Sequence, residues 1–334
     1  MPTPAEIPFQ QLLEALLDID KPLDPRYLYR LSDLDTEELA SLEATWLKLP
    51  TWRRKALMED VQQLGERNTL LSYEALGRFA LKDSDAQVRT SAVRTLWEFE
   101  VSTLIPVFLD LMETDPDSEV RVAAASGLGH FIYMGEVGEF SPKILRQIED
   151  RLLRAVNSKD EPGIRRAALE SLGYSSRKEV PSLIETAYYS NIPEWIASAL
   201  FAMGRSANKR WSPIVIAMLA NVQPGVRSEA ARAAGALELH QAVPRLLELL
   251  DDPDEDTCNA SIWSLSQLGG DGVREALEKV AEEIDDEVGL AFLEEALDNL
   301  SFTEDMQLMP LIDLYEEEEE DDSDWLEEDE GDED

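Results

Sequence analysis

Apolar and small residues recur along this chain at the spacing of an amphipathic helix, and one short pattern returns about every thirty residues. The most regular copy spans residues 226–256, VRSEAARAAGALELHQAVPRLLELLDDPDED. Within it, Val226, Ala230 and Ala234 are four residues apart and therefore share one helix face. Pro244 then begins a leucine-rich helix, since proline suits a first turn, where its missing N–H would be unpaired anyway. The pattern predicts a unit of two helices.

Seven copies of this unit align on one position, which we call the anchor. The anchors are Val88, Val120, Ile164, Trp195, Val226, Thr257 and Val288, at spacings of 32, 44, 31, 31, 31 and 31 residues. Four residues past them lie Ala92, Ala124, Ala168, Ala199, Ala230, Ser261 and Phe292, and eight past them lie Leu96, Leu128, Leu172, Met203, Ala234, Leu265 and Ala296. Such a face lets a neighbouring helix come close, so seven copies in register predict a stacked array of helix pairs.

The flanks of the array are less regular. Asp35 and Glu38 have the spacing of a capping box and predict a helix that ends before Pro50, and a further helix is expected from Thr51 to about Leu64. In that helix Trp52, Arg53 and Ala56 faintly resemble the repeat. Second helices are expected to begin at prolines, namely Pro106, Pro181, Pro213 and Pro244, with Pro142 and Pro310 displaced by longer loops.

The Asp-x-x-Val-Arg-x-x-Ala-Ala core of the unit resembles the HEAT-repeat family, and most of all the phycobilisome-lyase HEAT-like subgroup. The matching stretches are DAQVRTSAV from Asp85, DSEVRVAAA from Asp117 and PGVRSEAA from Pro224. The resemblance implies an all-α, right-handed α-solenoid of about seven to eight two-helix HEAT-like repeats. It also implies that arginines one residue past the anchors pair with aspartates in the turns of adjacent repeats: Arg89, Arg121, Arg165 and Arg227. Ile196, Cys258 and Gly289 occupy that position in other units, so the series is interrupted.

We therefore predict an irregular helical cap with a degenerate repeat at residues 1–81, a HEAT-like solenoid at 82–315 and a disordered acidic tail at 316–334. Between Val120 and Ile164 about a dozen residues are added, and this segment, GHFIYMGEVGEFS from Gly129 to Ser141, predicts a surface loop. Insertions into a solenoid commonly fall on the binding face.

The charge is extreme, because 30 Lys and Arg oppose 70 Asp and Glu, a net charge of −40. Such a surface repels phosphate backbones and anionic lipid, which argues against nucleic-acid and membrane partners and favours a basic protein or peptide. Residues 316–334 hold 15 acidic residues and no basic one, a composition typical of a disordered segment, although Trp325 and Leu326 interrupt it.

Candidate chemistry is sparse. One cysteine and two histidines predict no disulfide and no transition-metal site, and no nucleotide-binding or hydrolase motif is present. Cys258 is expected to be structural. We predict no catalytic residue and no cofactor. The first residues lack the features of a signal peptide and no apolar run could span a bilayer, so a cytoplasmic location is expected.

The sequence thus predicts a non-enzymatic protein-binding scaffold that presents the concave face of its solenoid, and it leaves the oligomeric state open. The resemblance implies that second helices line that face. The predicted protein-binding residues are Phe131, Tyr133 and Phe140 in the insertion, Tyr188, Tyr189, Trp211 and Met218 on second helices, and Trp325. Two alternatives stay open: a bilin-chromophore lyase-like protein, which the resemblance suggests, and an acidic chaperone or nucleic-acid mimic that shields basic proteins.

Overall fold

A computed structural model describes residues 7–97 and 99–308, and within them the regular structure is helical throughout, with no strand. The helices are α1 (Phe9–Leu17), α2 (Arg26–Arg30), α3 (Thr36–Trp46), α4 (Thr51–Arg67), α5 (Glu74–Ala80), α6 (Ala86–Thr95), α7 (Leu104–Thr114), α8 (Ser118–Glu136), α9 (Pro142–Val156), α10 (Pro162–Leu172), α11 (Val180–Tyr188), α12 (Pro193–Arg205), α13 (Ser212–Met218), α14 (Pro224–Ala236), α15 (Val243–Glu248), α16 (Glu255–Leu268), α17 (Val273–Glu283) and α18 (Glu287–Leu308).

From α4 onward the helices form a stack of pairs. The first helices of the pairs are α4, α6, α8, α10, α12, α14, α16 and α18, and each packs against the next one along the chain. The second helices are α5, α7, α9, α11, α13, α15 and α17, and the expected prolines lie in the first turns of α7, α9, α11, α13 and α15. The predicted all-α solenoid of helix pairs is confirmed.

The register of the repeat is confirmed as well. The residues four past the anchors are fully buried from Ala92 through Ser261, and so are the residues eight past them from Leu96 through Ala296. Small side chains here bring neighbouring backbones together. A Cβ on Gly173 would lie 2.9 Å from both the Cα and the carbonyl oxygen of Ala202 on the next first helix. The last unit is less completely buried, since its anchor Val288 is 79% exposed although Ala296 is fully buried.

The two layers of the stack are not equally tight. First helices meet along their length, whereas successive second helices make few close contacts. A stack with unequal spacing bends toward its tighter layer, so the first helices lie on the inner side. This corrects the implication that the second helices line the inner surface. The physical reason is the alanine, glycine and serine content of the first helices, which permits closer approach than the leucine-rich second helices do.

Arginines and aspartates join successive turns. Arg89 donates from Nε and Nη2 to the two carboxylate oxygens of Asp115, both at 2.8 Å, and from Nη1 to the carbonyl oxygen of Asp83 at 2.9 Å. Arg227 binds Asp252 in the same way at 2.8 and 2.7 Å. Asp115 also accepts the Asp117 N–H at 2.9 Å. We call these bonds the turn ladder, and they confirm the implied pairing for Arg89 and Arg227.

The ladder weakens and then fails in the middle of the array. Arg121 still pairs with a turn aspartate, the more exposed Asp160, at 3.1 Å, which confirms the implied pairing there as well. It also lies 3.8 Å from Glu161 and donates from Nη1 to the carbonyl oxygen of Asp115 at 2.9 Å. Arg165 donates to the carbonyl oxygen of Val156 at 3.0 Å and lies over the Trp195 ring at 5.2 Å, with no carboxylate within 4.0 Å among the described residues. The ladder aspartate stands six residues before the next unit's arginine position. In the three central turns that place is taken by Lys159, Ser190 and Asn221.

The ladder begins one unit earlier than the sequence predicted. Arg54 on α4 donates to both oxygens of Asp83, at 2.9 and 3.1 Å. Trp52 is 53% exposed, whereas Leu57 and Val61 are buried. The register assigned from Trp52 and Arg53 was therefore wrong by one residue. The expected capping box at the start of α3 is confirmed, and the helix expected at Thr51 is α4.

The predicted surface loop at Gly129–Ser141 is wrong over most of its length, because α8 continues to Glu136. The added residues extend a first helix by about two turns instead of leaving it. Their glycines serve close packing: a Cβ on Gly129 would lie 2.9 Å from the Ser171 hydroxyl, and one on Gly135 would lie 2.9 Å from Leu145.

The buried apolar residues form one cluster that runs from Leu12 to Leu300, so α1 to α5 and the array share their core. The predicted acidic tail at 316–334 and Pro310 lie outside the described residues. No helix among residues 7–97 and 99–308 is both long and apolar enough to cross a membrane.

Candidate functional site

The exposed side of the first helices forms a cleft. Positions six and ten past the anchors are one helical turn apart and face away from the second helices. In three successive units they hold Ser126 and His130 on α8, Glu170 and Tyr174 from α10 onward, and Phe201 and Arg205 on α12. Together with Trp97, Gly127 and Tyr133 they line a cleft of about 330 Å³.

A second cleft, of about 500 Å³, continues along the same side over α10, α12 and α14. It shares Glu170 and Phe201 with the first cleft. Its other polar walls are Arg166, Glu194, Ser198, Gln223, Ser228, Glu229, Arg232 and Asp256. We call the two clefts together the first-helix groove. The two clefts adjoin at Glu170 and Phe201, with aromatic residues mainly in the first and charged residues mainly in the second.

Arg205 stands in the aromatic part of the groove. The carbon of its guanidinium lies 4.2 Å from the centre of the Phe201 ring and 4.7 Å from that of Tyr174, and Nη1 donates to the carbonyl oxygen of Glu170 at 3.1 Å. Tyr133 packs against Tyr174 with ring centres 5.4 Å apart. Burial lowers the pKa of Arg205, yet a guanidinium stays charged. This cation has no carboxylate within 4.0 Å in the described chain.

Two carboxyl groups lie in the charged part of the groove. Burial raises the pKa of Glu170, while a hydrogen bond from Ser198 at 2.5 Å and the nearby Arg205 and Arg166 act against that rise. Burial likewise raises the pKa of Glu229, which accepts a hydrogen bond from Arg232 at 2.6 Å. Both groups are therefore easier to protonate than exposed glutamates.

Several buried polar atoms of the groove lack a hydrogen-bond partner among the described residues. They are Nε2 of His130, Nε of Arg166 and Oε2 of Glu229. Within the part of the chain that the structure describes, the closest carboxylate oxygen to the His130 nitrogen belongs to Glu100, at 3.7 Å, which is too long for a hydrogen bond. Buried polar groups are normally paired, because leaving one unpaired costs about 1–3 kcal/mol. These three atoms lie beneath the surface of the groove and have almost no contact with solvent, so a ligand in the groove does not reach them directly.

A family model of HEAT repeats matches residues 73–148, 181–266 and 213–298, which is more than half of the chain. This chain belongs to the HEAT-repeat family. The matched residues include α8, α12 and α14, so most of the groove is built from HEAT repeats. No curated protein matches the sequence significantly.

Several solved structures are similar to this chain at low identity. The complex of CpcE and CpcF of phycocyanin lyase from Nostoc is 18% identical with a TM-score of 0.45, and the alignment covers 68% of this chain and 94% of that one. Human deoxyhypusine hydroxylase is 18% identical with a TM-score of 0.35, over 80% and 96% of the two chains. Yeast importin-beta is 14% identical with a TM-score of 0.44, over 89% and 47%.

The residues predicted to bind a partner are dispersed over the HEAT repeats. Only Tyr133, which is 47% exposed, lines the groove. Phe131 is fully buried against Phe108 and Phe140, and Trp211 is 3% exposed, so neither offers a surface to a partner. The reason is that both rings fill the space between helices, where an aromatic residue contributes most to the core.

The other predicted residues lie away from the groove. Tyr189 is 69% exposed and contacts Tyr188, which is half-buried, at the end of α11. Met218 is also half-buried, and its sulfur accepts from Asn221 at 3.5 Å. Trp325 lies outside the described residues. The structure does not bring these positions together with Tyr133.

Most residues of the groove were not predicted from the sequence. Trp97, Glu170, Tyr174, Phe201 and Arg205 were not singled out. A signal was present, since these side chains follow their anchors by six, nine or ten residues. It went unused because second helices were expected to line the inner surface.

Catalytic chemistry receives no positive support. Among the described residues no group of three or more His, Cys, Asp or Glu side chains could hold a metal ion. Burial raises the pKa of the Cys258 thiol, as do Asp251 and Asp252, and its sulfur contacts the carbonyl oxygen of Leu250 at 3.1 Å. These surroundings oppose formation of a reactive thiolate.

Proposed function

We propose that this protein is a protein-binding scaffold whose first-helix groove holds an extended segment of a partner protein. The observation that carries the proposal is the pair of clefts of about 330 and 500 Å³ that share Glu170 and Phe201 as walls. They lie over α8, α10, α12 and α14, so an extended segment can contact several units at once. Their walls combine aromatic rings with charged groups, which suits a segment that carries side chains of both kinds.

The composition of the groove indicates the side chains that the partner carries. Trp97, Tyr133, Tyr174 and Phe201 offer aromatic surface, which favours apolar or planar side chains. In the charged part, four carboxyl groups stand against two arginines: Glu170, Glu194, Glu229 and Asp256 against Arg166 and Arg232. That balance favours a basic partner, in agreement with the net charge of −40. We infer a segment with basic residues beside aromatic or aliphatic ones.

The proposed role is non-enzymatic and the proposed location is cytoplasmic. A bilin-chromophore lyase remains an alternative on the ground of sequence resemblance, and no feature of the groove favours it. A chaperone that shields basic proteins would use the same charge. Such a chaperone needs no defined groove, so its binding should depend on the charge of the partner and not on particular residues of the groove.

The test is selection of peptides from a random displayed library on the full chain, followed by affinity measurement. We expect the selected peptides to share basic and aromatic residues. Replacing Tyr133→Ala together with Phe201→Ala should weaken them at least tenfold, since both rings line the groove. Circular dichroism would verify that the variant stays folded.

The matched control is Tyr189→Ala, because Tyr189 is more exposed than Tyr133 but lies outside the groove. This variant should bind the peptides as the parent does. Equal loss in both variants, or none in either, would contradict the groove as the site. Binding that depends only on peptide charge and vanishes in high salt would favour the chaperone.

A further inference from the structure

A stripe of basic side chains covers the outer face of α9, on the second-helix side of the array. Lys143, Arg146 and Arg154 are exposed there and border a shallow depression with Asp150 and Leu153. Their spacing places them on one side of the helix, about 16 Å from first to last at 1.5 Å per residue. The stripe stands out on a chain with 70 acidic and 30 basic residues.

The stripe is not neutralised by its neighbours. Lys143, Arg146 and Arg154 have no carboxylate within 4.0 Å in the described chain, whereas most other basic residues of the protein do. The acid inside the stripe, Asp150, is already bound by Arg177 at 2.9 Å. Glu149 points inward, is 4% exposed and accepts from Ser175. Three free cations thus face solvent together.

Residues 316–334 have the complementary composition, with 15 acidic residues and no basic one. They can also reach the stripe. Five steps between first helices separate α18 from the unit that contains α9, about 50 Å at the usual 8–10 Å per helix. The 26 residues from 309 to 334 span up to about 85 Å when extended.

We propose that residues 316–334 bind the basic stripe of α9 within the same chain. Carboxylates of the segment pair with Lys143, Arg146 and Arg154, and the aliphatic stems of these side chains and Leu153 offer apolar contact to Trp325 and Leu326. The segment then masks the three unpaired cations of this face. An acidic partner would have to displace it.

The proposal is tested on the full chain by zero-length carbodiimide coupling, which joins lysine amines to carboxylates in direct contact. Mass spectrometry should find Lys143 joined to residues 316–334 at least five times more often than Lys82, Lys159, Lys178 or Lys209. Raising NaCl from about 20 mM to 0.5 M should reduce that product, because exposed pairs are screened.

A double variant, Arg146→Glu with Arg154→Glu, keeps Lys143 and should lower its coupling at least fivefold. The matched control, Lys82→Glu with Arg94→Glu, changes the net charge equally at two exposed positions off the stripe and should leave the coupling unchanged. Equal coupling to all exposed lysines, or an unaffected product in the double variant, would overturn the proposal. So would products that join labelled to unlabelled peptides in statistical proportion in an isotope-mixed sample, which would indicate contact between chains.

Discussion

The turns near the two ends of the array and the turns at its centre differ in what their arginines contact. Arg89 forms an ion pair with Asp115, and Arg227 forms one with Asp252, and all four side chains are mostly shielded from solvent. At Arg165 the guanidinium packs on Trp195 instead. The groove lies on the first helices that flank these central turns. Charges that are committed to each other hold units together, and charges that are left unpaired are available to a partner.

Removing a carboxylate from the turn ladder should destabilise the protein more than any other change proposed for it. Asp115→Ala leaves Arg89 buried without its carboxylate, and we expect a loss of about 3–5 kcal/mol in the free energy of unfolding. Urea denaturation of the full chain measures it. Asp110→Ala is the control, since Asp110 is exposed on the same helix, α7, and has no ion pair within the described residues. A loss below about 1 kcal/mol for Asp115→Ala would show that the ladder does not hold the turns together.

A smaller loss is expected from Gly173→Ala. Its new Cβ would lie 2.9 Å from backbone atoms of Ala202, so α10 and α12 must move apart, at a cost of about 1–3 kcal/mol. Gly225→Ala is the matched control, because a Cβ there meets no atom within 4 Å. The control should be neutral or slightly stabilising. If both variants behave alike in denaturation, the tight layer of first helices is not limited by contact at this glycine.

A carboxylate that is missing from a central turn can be added by substitution. Ser190 occupies the position that Asp115 and Asp252 occupy in their units. Its hydroxyl accepts a hydrogen bond from the Ile192 N–H at 3.2 Å, just as the Asp115 carboxylate accepts one from the N–H two residues later. We expect Ser190→Asp to pair with Arg165 and to raise the free energy of unfolding by about 1 kcal/mol. A double-mutant cycle with Arg165→Ala should show this coupling. No coupling would mean that Trp195 holds Arg165 out of reach.

The smallest effect concerns pH. Since burial raises the pKa of folded Glu170 above its ordinary value of 4.5, the folded state holds this proton more tightly than the unfolded chain. Stability should therefore fall as the pH rises from 4.5 through the raised pKa. Glu170→Gln should flatten that fall, measured by thermal unfolding between pH 4.5 and 7. Glu194→Gln, an exposed change in the same groove, should leave the profile as it is; an equal response in both would contradict burial as the cause.

The fold could be predicted from the sequence because the repeat is defined by spacings of four and eight residues within single helices. Ala92, Ala124 and Ala168 recur with their anchors, and close helix packing needs only such small residues at fixed intervals. The extension of α8 was misjudged because Gly129 and Gly135 resemble loop residues. Their role as contact points is decided by Ser171 and Leu145, which approach from other helices.

The site was harder to predict. Phe131 and Tyr133 are two residues apart in one helix, yet the first is buried and the second is exposed. Which of them faces solvent depends on where α9 and α10 pack, and the spacing of one segment does not contain that information. Even so, three successive units carry His130, Tyr174 and Arg205 ten residues past the anchor, a coincidence that would have indicated the groove.

The ladder has a consequence for the speed of folding. Its bonds join residues that are 29, 26 and 25 positions apart, for Arg54, Arg89 and Arg227. Each unit therefore needs only the next unit in order to form its ladder contact. The number of residues between the two partners stays about the same however many units follow. Proteins with such local contacts fold quickly, and stacked repeats can nucleate at any unit. During synthesis, the units that emerge first can close their turns while the later ones are still being made.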